Sequence, residues 1–119
     1  MTPVRPVDAA STLLLDRSSE RMRVLVGRRS SKHVFMPDVY VFPGGRRDAT
    51  DRLVPVSNPL NPLACERLAL RNGARCSDSR LRALGVAALR ELYEEAGISV
   101  GAPFAAAAPD ALPFRPDLS

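Results

Sequence analysis

Tryptophan is absent from the 119 residues, and two Tyr and four Phe are the only aromatic side chains. That poverty excludes a core assembled around large rings, so Leu, Val and Ala must carry it. It also argues against a surface that binds single-stranded nucleic acid by stacking successive bases. Long apolar runs are missing too. Leu13–Leu15 and Phe104–Ala108 are far too short to cross a bilayer, and no membrane segment is expected. The first ten residues lack the charged-then-apolar layout of a secretory signal. Cys65 and Cys76 are the only cysteines, too widely spaced for a CxxC site, and the lone His33 has no metal-binding companion nearby. Two unpaired thiols without a signal sequence point to a reducing cytoplasm.

Lysine is nearly missing: Lys32 is the only one among 17 basic residues, the rest being Arg. The formal charge of +4 favours anionic partners without choosing among them. Arginine suits phosphate oxygens, which it engages in bidentate fashion. An Arg-rich solvated surface explains the same composition, so charge alone identifies no function.

The first third of the chain has the look of β structure. Ala10–Leu15 is a candidate strand, followed by a polar turn and a second strand over Met22–Val26. A basic loop over 27–38 leads to a third, Val39–Phe42, which Pro43–Gly44–Gly45 is expected to stop. From Arg46 to about Ser77 the pattern weakens, because Pro55, Pro59 and Pro62 forbid a long element. A short helix over Ala64–Leu70, ending near Asn72–Gly73, is the most this stretch suggests. It has the character of an insertion, about 52–77, that could be shortened without harm to the rest. A strong helix follows, with Ser77, Asp78 or Ser79 as its cap and Gly97 as its C-terminal stop. The Ala- and Pro-rich residues 101–119 are expected to be an unstructured tail.

On that helix Leu81, Gly85, Ala88, Leu89, Leu92 and Ala96 share one side, while Glu91, Glu94 and Glu95 form a separate stripe. Carboxylates at i, i+4 repel each other by a few tenths of a kcal/mol. These also sit at the negative end of the helix dipole, which costs roughly 0.3–1 kcal/mol each. Arg90 offsets part of this through an i, i+4 pair with Glu94. An acidic stripe is ordinarily just a solvated helix face. Here the charges occupy the wrong helix end, and a local rule broken without local compensation directs attention to function. A divalent cation would resolve the conflict, since clustered carboxylates suit hard cations.

Arg90–Glu91–Leu92–Tyr93–Glu94–Glu95–Ala96–Gly97–Ile98 resembles the second half of the Nudix box, R-E-U-x-E-E-x-G-U, at every specified position. Phe42–Pro43–Gly44–Gly45 is similar to the strand end and glycine pair that open the box. The family pattern places thirteen residues between glycine and arginine, whereas 44 lie between Gly45 and Arg90. An insertion of about 31 residues therefore interrupts the box. Counted forward from Gly45, the first acidic position is Asp51, a Glu-to-Asp change; counted back from Arg90, it is Arg82. An insertion after Asp51 keeps an acid in place. The interruption, with Arg28–Arg29, Phe35–Met36–Pro37 and Val39–Asp48, resembles the subgroup that includes coenzyme A diphosphatases, although Asp38 stands where glycine is commoner.

The resemblance covers about Ala9 to Val100 and implies an α/β fold, an α/β/α sandwich with a mixed sheet. The domain would occupy 7–100 and be incomplete at its C-terminal end, because the family fold has further strands and a helix beyond the box. It implies Mg²⁺ or Mn²⁺ held by Glu91, Glu94 and Glu95, with Arg90 orienting them, and a substrate near Gly44, Gly45 and Arg46, with Asp51 a further candidate. The implied reaction is hydrolysis of a nucleoside diphosphate linked to another moiety, coenzyme A or acyl-CoA being favoured. The partner is thus a small-molecule nucleotide conjugate rather than nucleic acid or membrane. Two other readings stay open: an inactive remnant that binds metal weakly, and an Arg-rich nucleotide- or RNA-binding module. The oligomeric state is open as well, although a three-stranded, one-helix scaffold with bare edges is expected to self-associate.

Overall fold

The computed structural model describes residues 7–28, 39–70, 77–103 and 111–119. Six short strands come first: β1 (Ala9–Ser11), β2 (Leu15–Asp16), β3 (Arg23–Val24), β4 (Gly27–Arg28), β5 (Tyr40–Val41) and β6 (Gly44–Arg46). A 3₁₀ turn over Ala49–Leu53 and helix α1 (Pro62–Ala69) lead to the long helix α2 (Asp78–Ala96). Strands β7 (Gly101–Pro103) and β8 (Phe114–Pro116) close the chain. The ladders are antiparallel pairs: β1 with β6, β2 with β3, β4 with β5, and β7 with β8. The parallel pairing among the described residues is a single bridge, Asn58 to Asp117.

Helix α2 organises the rest. Ser77 caps its start, its side chain accepting from the Arg80 N–H at 3.1 Å. Gly97 ends it with φ 70°, a left-handed conformation that glycine adopts without strain, and donates to the Tyr93 carbonyl at 2.8 Å. The helix packs against β1, β6 and the 3₁₀ turn on one side and against α1 and β8 on others. Its buried residues are therefore Leu81, Ala83, Val86, Ala87, Arg90 and Leu92, on more than one face. The single stripe expected from periodicity is too narrow, because Ala96 is exposed while Ala83, Val86 and Ala87 are covered.

The strands expected in the first third are present but broken. Ala10–Leu15 divides into β1 and β2 at a bend around Thr12, whose N–H donates to the Pro43 carbonyl at 2.8 Å. Met22–Val26 contributes only Arg23–Val24, and Val39–Phe42 only Tyr40–Val41. Strand β5 ends before Pro43, as expected, but the Gly44–Gly45 pair that follows re-enters a ladder, contrary to expectation. It is strand β6, in register Ala10↔Gly45 and Ser11↔Gly44. Close approach explains the glycines here. A Cβ on Gly44 would collide with the Ala10 carbonyl and lie 2.8 Å from the Ser11 Cα. The chain after Pro43 can thus pair with β1 only because side chains are missing.

Residues 101–119 also differ from the expected tail. β7 and β8 pair Gly101↔Pro116 and Pro103↔Phe114, so both prolines sit at ladder ends where a missing N–H is tolerated. Phe114, Pro116 and Leu118 are buried, and Phe114 packs on Tyr93 with ring centroids 5.5 Å apart. The segment before α2 is tied to this end of the chain. The Ser57 N–H donates to the Pro116 carbonyl, and the Leu118 N–H to the Asn58 carbonyl, both at 2.9 Å. Arg82 of α2 donates to the Arg52 carbonyl at 2.9 Å and to the Val54 carbonyl. The inserted stretch is therefore not a detached loop, and excising it from Val54 onward would remove the bonds made by Val54, Ser57 and Asn58. Within it, α1 begins earlier than expected because Asn61 caps it, accepting from the Ala64 N–H at 2.8 Å, with Pro62 at its first position. The expected helix end at Asn72–Gly73, together with Cys76, His33, Arg29 and Phe35–Pro37, lies outside the described residues.

Candidate functional site

The C-terminal half of α2 lies against β6 and the 3₁₀ turn, and the side chain at the centre of that contact is Arg90. Its guanidinium is 10 % exposed and its partner Asp51 only 1 %. Arg90 Nε donates to Asp51 Oδ1 at 2.8 Å and Nη2 to Oδ2 at 3.2 Å, a two-point pairing. Nη2 also donates to the Arg46 carbonyl at 3.0 Å and lies 3.6 Å from Asp48 Oδ2. Nη1 donates to Glu91 Oε1 and Glu94 Oε2, both at 3.0 Å. The hydrogen bond with Asp51 raises the Arg90 pKa further above its usual range, against the opposing effect of burial, and Glu91 and Glu94 add to the rise.

Asp51 is brought to α2 by its own local structure. It lies in the 3₁₀ turn opened by Asp48, and its Oδ2 accepts from the Asp48 N–H at 2.8 Å. Both Asp51 oxygens are thus engaged by protein donors. Its position suits an anchor for Arg90 rather than a ligand. Arg82, the position reached by counting back from Arg90, points instead to the carbonyls of Arg52 and Val54.

Glu91 sits directly over Gly45. A Cβ there would come within 2.5 Å of the Glu91 carboxyl carbon. Glu95 is exposed as a residue, yet its carboxylate reaches the Gly44 N–H and lies close to Glu91. Lost solvation pushes the Glu95 pKa up first, the Gly44 N–H opposes that, and the Glu91 and Glu94 charges raise it further. Glu91 and Glu95 thus bring two carboxylates close together in one small space. A cation would offset their charge, and one or two carboxylates are the usual protein share of an Mg²⁺ shell. The donor set fits such an ion through Glu91 and Glu95. Glu94 stands apart, half exposed against Arg90. Among the described residues no three His, Cys, Asp or Glu side chains converge into a ready cation cage.

A cleft of about 990 Å³ opens beside this pair. Gly44, Gly45 and Glu95 line it, together with Arg28, Tyr40 and Phe42. Of the residues expected near substrate, Gly44 and Gly45 line the cleft, whereas Arg46 is exposed and gives its carbonyl to Arg90. Sequence reasoning placed no role on Tyr40 or Phe42, although their i, i+2 spacing before the diglycine was visible. No helix among the described residues is long and apolar enough to cross a membrane.

An acidic helix end laid on a diglycine strand, within paired antiparallel strands, is a Nudix-like α/β fold. The chain is similar over 95 % of its length to the crystal structure of a Nudix hydrolase from Alicyclobacillus acidocaldarius, at 25 % identity and a TM-score of 0.50. It spans just under half of that structure, 46 %. No family model and no curated protein matches the chain.

Proposed function

We propose that the chain carries the metal-binding half of a cytoplasmic pyrophosphohydrolase that cleaves a nucleoside diphosphate linked to another moiety, with coenzyme A or acyl-CoA as the favoured substrate. The observation that carries this reading is the pair of neighbouring carboxylates, Glu91 lying on Gly45 and Glu95 in the lining of the cleft. Glu91 and Glu95 would hold Mg²⁺ or Mn²⁺, with Glu94 joining if its bond to Arg90 is released. When bound, such an ion lowers the pKa of an attacking water and stabilises charge developing on the diphosphate. The protein's own contribution is positional. Asp51 fixes Arg90, Arg90 holds Glu91 and Glu94, and the Gly44 N–H orients Glu95. Gly44 and Gly45 leave backbone, rather than side chain, facing the diphosphate.

Hydrolysis of CoA, acetyl-CoA, ADP-ribose and inorganic pyrophosphate, each with and without Mg²⁺ or Mn²⁺, tests the reading. The expected outcome is metal-dependent release of a nucleoside monophosphate-type product and a phosphorylated remainder, fastest with the CoA compounds and lost in Glu95→Gln. Full activity in Glu95→Gln and Glu94→Gln together would refute the metal assignment. No turnover of any of the four would leave an inert fold that binds metal weakly.

A further inference from the structure

Four aromatic side chains fall among the described residues, and they are used in two different ways. Tyr93 and Phe114 pack on each other, and Phe114 is fully buried. Tyr40 is 71 % exposed and Phe42 45 %, and both line the cleft. In a chain with so few rings, placing two of them at solvent on one short segment is costly unless something covers them. Tyr40 in β5 and Phe42 just beyond it are both exposed, with the half-buried Val41 between them. The register Arg28↔Tyr40 puts a cation directly across from the first ring. Gly44 and Glu95 also line the cleft. The cleft therefore offers flat apolar surface beside a guanidinium, with the Glu95 carboxylate in the same lining.

We infer that Tyr40 and Phe42 form the seat for the planar base of a phosphate-bearing substrate, with Arg28 paired to a phosphate oxygen next to it. The inference deepens the hydrolase reading above and rests on it for the assignment of substrate class. A ring stacked on Tyr40 would cover the exposed face, and an anion beside it complements Arg28 rather than Glu95. One seat for one base is consistent with the same aromatic scarcity that argues against binding a run of bases.

Binding of AMP and of ribose 5-phosphate, measured by calorimetry on the full chain in the presence of Mg²⁺, separates the base from the phosphate. AMP should bind about tenfold more tightly than ribose 5-phosphate, the scale of one base on one ring. Tyr40→Ala should erase that difference and Tyr40→Phe should keep it, with circular dichroism confirming that each variant is folded. Equal affinities in the unaltered protein, no binding of either compound, or an unchanged preference in Tyr40→Ala would each overturn the inference. Turnover of ADP-ribose at saturating concentration reports on the hydrolase reading separately. Turnover without a base preference would sink the seat and leave the hydrolase; a base preference without turnover would do the reverse.

Discussion

The two ends of α2 are held by different physics from the ladders that precede it. Around Arg90, nearly every donor has a buried or half-buried acceptor, and a 3₁₀ turn, a strand and a helix meet at one side chain. The β2–β3 ladder has two residue pairs, and Leu15, Met22 and Val24 there are all exposed. Its one strong tie is the surface pair Arg23–Asp16, a class of interaction that contributes little. The polar ties at Arg90 involve no residue of that ladder. Rigidity follows from where partners converge, not from where the local sequence favours a strand.

Breaking the convergent side should have the largest effect. Arg90→Ala strands Asp51 at 1 % exposure with no countercharge, and removing one partner of a buried pair costs about 3–5 kcal/mol. Urea denaturation should show that loss, and recovery in Arg90→Lys should be poor, because Lys cannot serve Asp51, Glu91 and the Arg46 carbonyl together. Phe114→Ala should cost roughly 3 kcal/mol, the lower end for a buried ring, and release the end of the chain from α2. Amide exchange at Asp117 and Leu118 should rise with it.

The N-terminal clasp provides a pH test of smaller size. Asp8 accepts from Arg80 Nη2 at 2.6 Å and Arg47 Nε at 3.2 Å. The bond from Arg80, aided by Arg47, holds its carboxyl below the usual range despite some burial. A depressed carboxylate contributes stability at pH values above its unfolded pKa, and that stability is lost as pH falls through the folded pKa. Melting temperature should therefore decline below about pH 4, and Asp8→Asn, itself costing about 1 kcal/mol at neutral pH, should flatten that part of the decline. Smallest of all, Val24→Ser on the exposed ladder should shift stability by no more than about 0.5 kcal/mol in denaturant titration. A loss comparable to Phe114→Ala would show that the ladder is packed in solution and would erase the contrast.

The part of the molecule legible in the sequence was the part governed by local rules. Ser77, Gly97 and the 3.6-residue period define α2 without reference to anything distant, and the Arg90–Glu94 pair follows from i, i+4 spacing. The α/β class and the proximity of the glycine pair to the acidic helix came from the Nudix resemblance. What sequence did not reveal depends on long-range approach. Gly44 and Gly45 resemble a strand stop until β1 and Glu91 are seen where their side chains would be. Phe114 stands between prolines and resembles tail, yet those prolines occupy ladder ends and the ring meets Tyr93. Ala83, Val86 and Ala87 were missed because a helix covered on several sides has no single apolar stripe. The exposed rings at Tyr40 and Phe42 carry meaning only once the cleft is visible.

Many of the polar ties described above join residues before Leu70 to residues after Ser77: Asp8 to Arg80, Asp51 to Arg90, Arg52 and Val54 to Arg82, Ser57 to Pro116. Dividing the chain between Leu70 and Ser77 would leave the partners of these ties on two separate pieces. Two fragments, 1–70 and 77–119, should find each other by Arg–carboxylate pairing, with association that weakens in high salt at its exposed pairs and fails altogether without Asp51.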